Sequence, residues 1–383
     1  MSGRRQRHLD GLRGIAALAV VIEHIGGLVP GRFLVIGAGL LGQIATGIVS
    51  FPFRAGVFAV YVFFAISGVV IAGAADGDRP WPLSLLSRYL RLTVPMLAAS
   101  LFAWTLLLIW PGDLAVIGAF LPDHLTADVY HRGDASLLEA FVEPVWRVYA
   151  SGSSYLDPVL WSMRAELIGS LGIFTFYRFV PAPARVPAAI AIALLLASLD
   201  HWRYVTFAIG IVLYERDRRA PFSGRFRSGP LIVAAGLAIA IVGDAATTRL
   251  TGLALSDVDL VNGDLRIAVY ACAALLIVFG VMASGGSRDL LLGWGPQFLG
   301  RISFGLYLVH MPLLFTVFAA LYLALGRPPG GLLLSLWAVA FLIAAIVAGY
   351  GMTRLIDEPW MALRHHFEKR IGGRRGAAPA LTS

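Results

Sequence analysis

The sequence predicts an all-α fold, a polytopic transmembrane helix bundle of about ten spans with both termini cytoplasmic. Three observations lead there. Mean hydropathy is +0.77 and only 14% of the 383 residues are charged, where a soluble domain carries about a quarter. Ten apolar stretches approach the roughly 20 residues needed to cross a hydrocarbon core. The basic residues fall on alternate loops, which fixes one orientation. A single membrane domain over residues 1–361 accounts for almost the whole chain, and a basic tail follows at 362–383.

Residues 9–28, LDGLRGIAALAVVIEHIGGL, open the series. Residues 1–28 are basic and then apolar, like a signal peptide. Their apolar part is long, carries Glu23 and His24, and lacks a convincing small-residue cleavage site, so it reads as a retained span. Further spans are expected at 55–75, 92–110, 158–178, 186–199, 201–215, 230–247, 265–283, 299–323 and 333–356. The fifth and sixth are short and read as a shallow hairpin around Asp200 and His201. With the N-terminus inside, 22 of the 31 Lys and Arg lie on inner segments and 8 on outer ones. Residues 33–51 are apolar enough to span, but a span there would reverse this bias, so they read as an interfacial or re-entrant piece on the outer side. Residues 111–157 form the longest outer loop, an acidic surface that includes Glu139, Glu143 and Asp157. The tail, LRHHFEKRIGGRRGAAPALTS, reads as a partly disordered inner segment suited to anionic lipid.

Composition also excludes. The basic residues track membrane sides and form no patch with interleaved aromatics, so no nucleic acid partner is expected. The single cysteine, Cys272, allows no disulfide framework. No P-loop, dinucleotide fingerprint or HExxH occurs, and no metal is expected. No internal repeat is visible, which disfavours the common transporter architectures.

Polar residues within the spans carry the functional signal. Arg13 and His24 are eleven residues apart. That is almost three helical turns, so both face one side, about 16 Å apart along the axis, with Asp10 a turn below. Ionisable groups inside a span are costly and usually face a protein interior or a wet cavity. The predicted topology gives each a depth. Arg13, Arg88 and Arg91 crowd the cytoplasmic mouth. Glu166 lies at mid-membrane to outer depth, with His310 near the middle of its span and His24 in the outer half. Guanidinium groups at a mouth suit a phosphate-bearing ligand. A histidine near a carboxylate suits general-base work. Plainer roles stand beside these. The arginines also serve as topology anchors, a buried histidine as a packed core residue, Ser67 as a small residue at a helix contact and Trp161 as an interface anchor. Glu166 also has Arg164 or a histidine as a structural partner in prospect. The alternative to an enzyme is a proton-coupled transporter or flippase, with the buried His and Glu as proton relays. A silent membrane scaffold is a third reading.

Six motifs, in order along the chain, resemble the membrane-bound acyltransferase family 3, which includes O-antigen, exopolysaccharide, Nod-factor and macrolide acyltransferases. They are Arg13 and His24 within LDGLRGIAALAVVIEHI, FFAISG at 63–68, Arg88 with Arg91, LWSMRAE at 160–166, the run Gly300 to Pro312, and Glu358-Pro359. The resemblance implies an O-acyltransferase of the bacterial inner membrane. Its donor would be cytoplasmic acyl-CoA, usually acetyl-CoA, and its acceptor a hydroxyl of a cell-surface or exported glycan or lipid-linked sugar. It implies a catalytic set of His24, Glu166 and His310, with Arg13, Arg88, Arg91 and Ser67 toward the donor. His24 would act as general base or as covalent acyl carrier. The chain departs from the pattern at Arg164 and lacks the aromatic pair often found after the glutamate. The membrane domain alone is expected to serve the acceptor. The motifs carry no signal for oligomeric state.

Overall fold

The computed structural model describes residues 6–26, 48–77, 79–110, 136–222, 228–251, 265–325 and 331–373. Among these residues the chain is helical throughout and has no β-strand. A lone chain segment in hydrocarbon satisfies its own backbone groups only as a helix. The long helices are α1 Arg7–Gly26, α2 Gly56–Ala75, α3 Trp81–Ile109, α4 Trp161–Phe179 and α5 Arg185–Ser198. They continue as α6 Trp202–Arg219, α7 Gly229–Thr251, α8 Leu265–Ala283, α9 Trp294–Leu313 and α10 Gly331–Met352. After a π turn at Thr353–Asp357 comes α11, Glu358–Gly373. Each of the ten segments expected to span overlaps one of α1–α10, and the ninth, 299–323, runs past α9 through a π turn at Leu314–Phe318 into a short helix, Ala319–Ala324.

Six helical stretches are long and apolar enough to cross a membrane by length and composition: Gly56–Ala75, Trp81–Ile109, Pro158–Phe179, Leu265–Ala283, Trp294–Ala324 and Gly331–Phe367. α1 is not among them because Asp10, Arg13 and Glu23 interrupt its apolar run. The outer faces are greasy. Leu108, Leu194, Leu231, Leu332 and Val347 are all exposed, as the lipid-facing side of a bundle requires. The expected hairpin between α5 and α6 is present and turns on Asp200, whose φ is 55°, a left-handed conformation that Asp adopts more readily than most residues.

Two calls fall wholly or mainly outside the described residues: the apolar 33–51 segment, of which only 48–51 are described, and the disordered end of the tail. The boundary at 361 lies inside α11. The described part of the long loop differs from an acidic outer surface. Glu143 is fully buried and accepts from Ser154 Oγ at 2.6 Å, Tyr155 N at 2.9 Å and Leu156 N at 3.2 Å. It ties down the approach to α4, because a buried carboxylate holds its place by several hydrogen bonds. Asp157 is also fully buried, and burial pushes its carboxyl well above the usual range. At the far ends of α2, α4 and α6, Arg185 pairs with Asp76 at 2.6 Å and Arg218 with Glu215 at 2.7 Å, while Tyr177 donates to Glu215 at 3.0 Å. This clamp fixes the C-terminal ends of three helices against the start of α5.

Candidate active site

α1 and α9 run in the same direction with their backbones in contact. A Cβ on Gly14 would collide with the backbone of Gly300, and one on Gly300 would collide with the Asp10 carbonyl. Glycine is what permits that approach. His24 lies ten residues beyond Gly14, and His310 ten residues beyond Gly300. Two parallel helices that start in register bring those positions to one level, and the rings meet there. His24 Nδ1 and His310 Nε2 are 3.1 Å apart, with ring centroids 5.1 Å apart.

The partners assign the tautomers. His310 Nδ1 lies 3.1 Å from the Leu306 carbonyl and must donate to it. His310 Nε2 then accepts, so His24 Nδ1 is the donor between the rings. On this assignment His24 Nε2 is the unprotonated nitrogen of its ring. His310 is fully buried and His24 half-buried, so His24 is the ring within reach of a substrate. Glu23, next in the chain, lies over the N-terminus of α2, where its carboxylate fills the space a Cβ on Gly56 would take. A negative charge is favourable at that helix end.

α9 then reads as a ladder. One turn from His310 toward Gly300, Tyr307 donates to the Val159 carbonyl at 2.9 Å and meets Ser162 Oγ at 2.8 Å. Its ring lies 5.9 Å from His310 and 6.0 Å from Phe63. A further turn down, Phe304 lies under the Arg91 guanidinium at 5.1 Å. Arg91 thus sits about 9 Å below His310 along the helix axis, six residues at the α-helical rise.

Beside this ladder stands a second polar layer. Ser67 Oγ donates to Glu166 Oε1 at 2.7 Å. Arg88 forms an ion pair with the same oxygen, and its Nε donates to Ser170 Oγ at 2.8 Å. Ser162, Glu166 and Ser170 recur every four residues along one face of α4, and Phe63 and Ser67 do the same on α2. Arg164 turns away and donates to the Ser151 carbonyl at 3.3 Å. The departure at that position leaves Glu166 untouched.

The structure therefore groups the expected residues in a different way. His24 and His310 form one pair. Glu166, Ser67 and Arg88 form another cluster, so Arg88 leaves the mouth for the level of the glutamate and Ser67 stands by a carboxylate. Arg91 pairs in a bidentate manner with Asp357, at 2.5 and 3.2 Å. Arg13 lies 3.7 Å from Asp10. Arg91 is within electrostatic reach of both Arg13 and Arg88.

Four participants escape the sequence reading. Tyr307, Ser162 and Ser170 all lie three or four residues from a chosen residue, and that helical spacing was the available signal. Asp357 precedes the Glu358-Pro359 motif. The π turn ending at Asp357 sets that residue toward Arg91, while Glu358 faces Arg301 and Arg354 near the surface, at 2.6 and 3.1 Å. Among the described residues no three His, Cys, Asp or Glu side chains group as metal ligands.

The family model described as an acyltransferase domain, that of acyltransferase family 3, matches residues 7–354. The chain belongs to this family of membrane acyltransferases. Comparison with curated proteins and with solved structures gives no match. The acyltransferase is thus an enzyme with an acyl donor and an acceptor, built as an all-α bundle with transmembrane helices, and membership favours this over the transporter reading. The matched span takes in His24, Glu166, His310 and the three arginines. It ends before Asp357.

Proposed function

We propose that the protein is an O-acyltransferase of a bacterial inner membrane. It moves an acyl group, acetyl by preference, from cytoplasmic acyl-CoA to a hydroxyl of a cell-surface or exported glycan or glycolipid. The observation that carries this reading is the His24–His310 hydrogen bond, at the end of the column opposite the arginines. CoA has its phosphates at one end and its thioester at the tip of a long flexible arm. Arg13 and the His24 imidazole, about 16 Å apart along α1, match that separation of charge and reactivity.

His24 Nε2 takes the proton of the acceptor hydroxyl as the oxygen attacks the thioester carbonyl. The C–O bond forms, the C–S bond breaks, and the proton passes to the departing CoA thiolate. His310 holds the tautomer that keeps Nε2 unprotonated, in the way a partner group orients a catalytic imidazole. Glu166 holds Arg88 and Ser67 at the intermediate level. The 22-to-8 division of basic residues supports a cytoplasmic arginine end, and the parallel course of α1 and α9 agrees with it.

The test is CoA release by purified protein given acetyl-CoA and a glycan acceptor. His24→Ala is expected to abolish release while expression stays intact. Normal release by that variant would refute the mechanism.

A further inference from the structure

α10 leaves a stripe of its surface bare. Leu332, Leu336, Val339, Ile343, Val347 and Tyr350 are all exposed and recur every three or four residues. On a helix that crosses a membrane such a stripe faces acyl chains. It does not stop where α10 ends. Leu355 in the π turn is 75% exposed, and on α11 Leu363 and Phe367 are 47% and 52% exposed. Pro359, Leu363 and Phe367 lie four residues apart on one flank of α11, with Glu358, Ala362 and His365 on the other. The side between the flanks is docked on α3. Trp360 Nε1 donates to the Leu90 carbonyl at 3.0 Å, and one turn later Arg364 donates to Ser87 Oγ at 2.7 Å.

Length decides where the apolar flank can lie. Gly331–Phe367 is one helical stretch of 37 residues, about 55 Å long if straight. A hydrocarbon core takes about 30 Å, which α10 fills with its 22 residues. α11 therefore begins at the membrane boundary. A helix with one apolar flank and one polar flank suits the plane of that boundary. Charge names the surface. From Glu368 onward the sequence holds Lys369, Arg370, Arg374 and Arg375 against the one acid Glu368. Basic residues clustered next to a span attract anionic headgroups.

We infer that α11 is an interfacial helix. Leu355, Leu363 and Phe367 rest on acyl chains at the leaflet boundary, and the basic segment after Phe367 binds anionic phospholipid headgroups. The partner is a lipid surface because the flank continues the lipid-facing stripe of α10. This inference goes beyond the acyl-transfer reading and does not depend on it. It joins the lipid surface to Arg91, which is held by Asp357 at the end of the π turn.

The experiment places nitroxide spin labels on the full-length protein carrying Cys272→Ser, which removes its one cysteine. Labels at Leu363→Cys, Phe367→Cys and Ala362→Cys are read by power saturation in vesicles of phosphatidylcholine, with and without phosphatidylglycerol. Oxygen collects among acyl chains, and a nickel chelate stays in water. The Leu363 and Phe367 labels are expected to respond about threefold more to oxygen than to nickel, and the Ala362 label the reverse. Phosphatidylglycerol is expected to lower the nickel response of the Phe367 label about twofold. A variant with Lys369, Arg370, Arg374 and Arg375 all replaced by Gln is expected to lose that effect. Nickel-dominated labels at both Leu363 and Phe367 would put the flank in water and overturn the inference. So would spin–spin broadening of the Leu363 label that disappears on dilution with unlabelled protein, because a second copy would then cover the flank. A phosphatidylglycerol effect that survives the four Gln replacements would overturn the role of the basic segment.

Discussion

His310 is fully buried and His24 half-buried, and that asymmetry divides their work. A buried ring bonded to a carbonyl cannot reach a substrate, but it can fix which nitrogen of its neighbour carries the proton. His310→Ala should therefore lower kcat by roughly 10²-fold or more and leave the donor KM unchanged, as steady-state kinetics would show. His310→Gln, whose amide oxygen accepts from His24 Nδ1, should recover part of the loss. Asp357 and Glu358 make a second contrast at this scale. Asp357 holds Arg91 with both groups largely out of solvent, at 12% and 20% side-chain exposure. Removal of one member of such a pair costs about 3–5 kcal/mol. Glu358 pairs at the surface, where a salt bridge contributes about 1 kcal/mol or less. Asp357→Ala should thus lower the midpoint of thermal unfolding in detergent much more than Glu358→Ala does. Equal effects would place the structural role on the Glu-Pro motif instead.

At the scale of the element, α1 and α9 behave as one unit. Their contact at Gly14 and Gly300 sets the register, and the histidines ten residues further on inherit it. Gly14→Leu has no room. Overpacking of a filled contact costs about 1–3 kcal/mol, so a lowered unfolding midpoint is expected together with loss of activity. A fully active, equally stable Gly14→Leu would show that the helices meet in another way. The equal distances from Gly14 to His24 and from Gly300 to His310 stand in the sequence, but that these glycines meet came only with the structure. The link between Arg88 and Glu166 was not legible in the sequence. Each was given a depth from its position along its own span, and a long arginine side chain reaches across more than a turn. Asp357 was hidden for a related reason. The π turn at Thr353–Asp357 shifts the residues after it around the helix, so ordinary helical spacing points to the wrong neighbour.

For the whole molecule, hydropathy located α1–α10 but not α11, whose polar sequence read as a tail, since a lipid solvent leaves few alternatives to a helix for an apolar segment. Composition placed Glu143 and Asp157 on an outer surface, yet both are buried, because the loop before α4 folds over its own carboxylates. What ties the scales together is the proposed route from the arginines, past Tyr307, to the histidine pair. It claims that donor and acceptor act from opposite faces of the membrane. Sealed vesicles of defined sidedness test this directly, with acetyl-labelled acetyl-CoA given only to the face that carries the C-terminal tail and the glycan acceptor only to the other. Wild-type vesicles are expected to label the acceptor across the membrane, and His24→Ala vesicles are expected to label none. Acceptor labelled by His24→Ala at the wild-type rate, or labelled only when donor and acceptor share a face, would contradict the account.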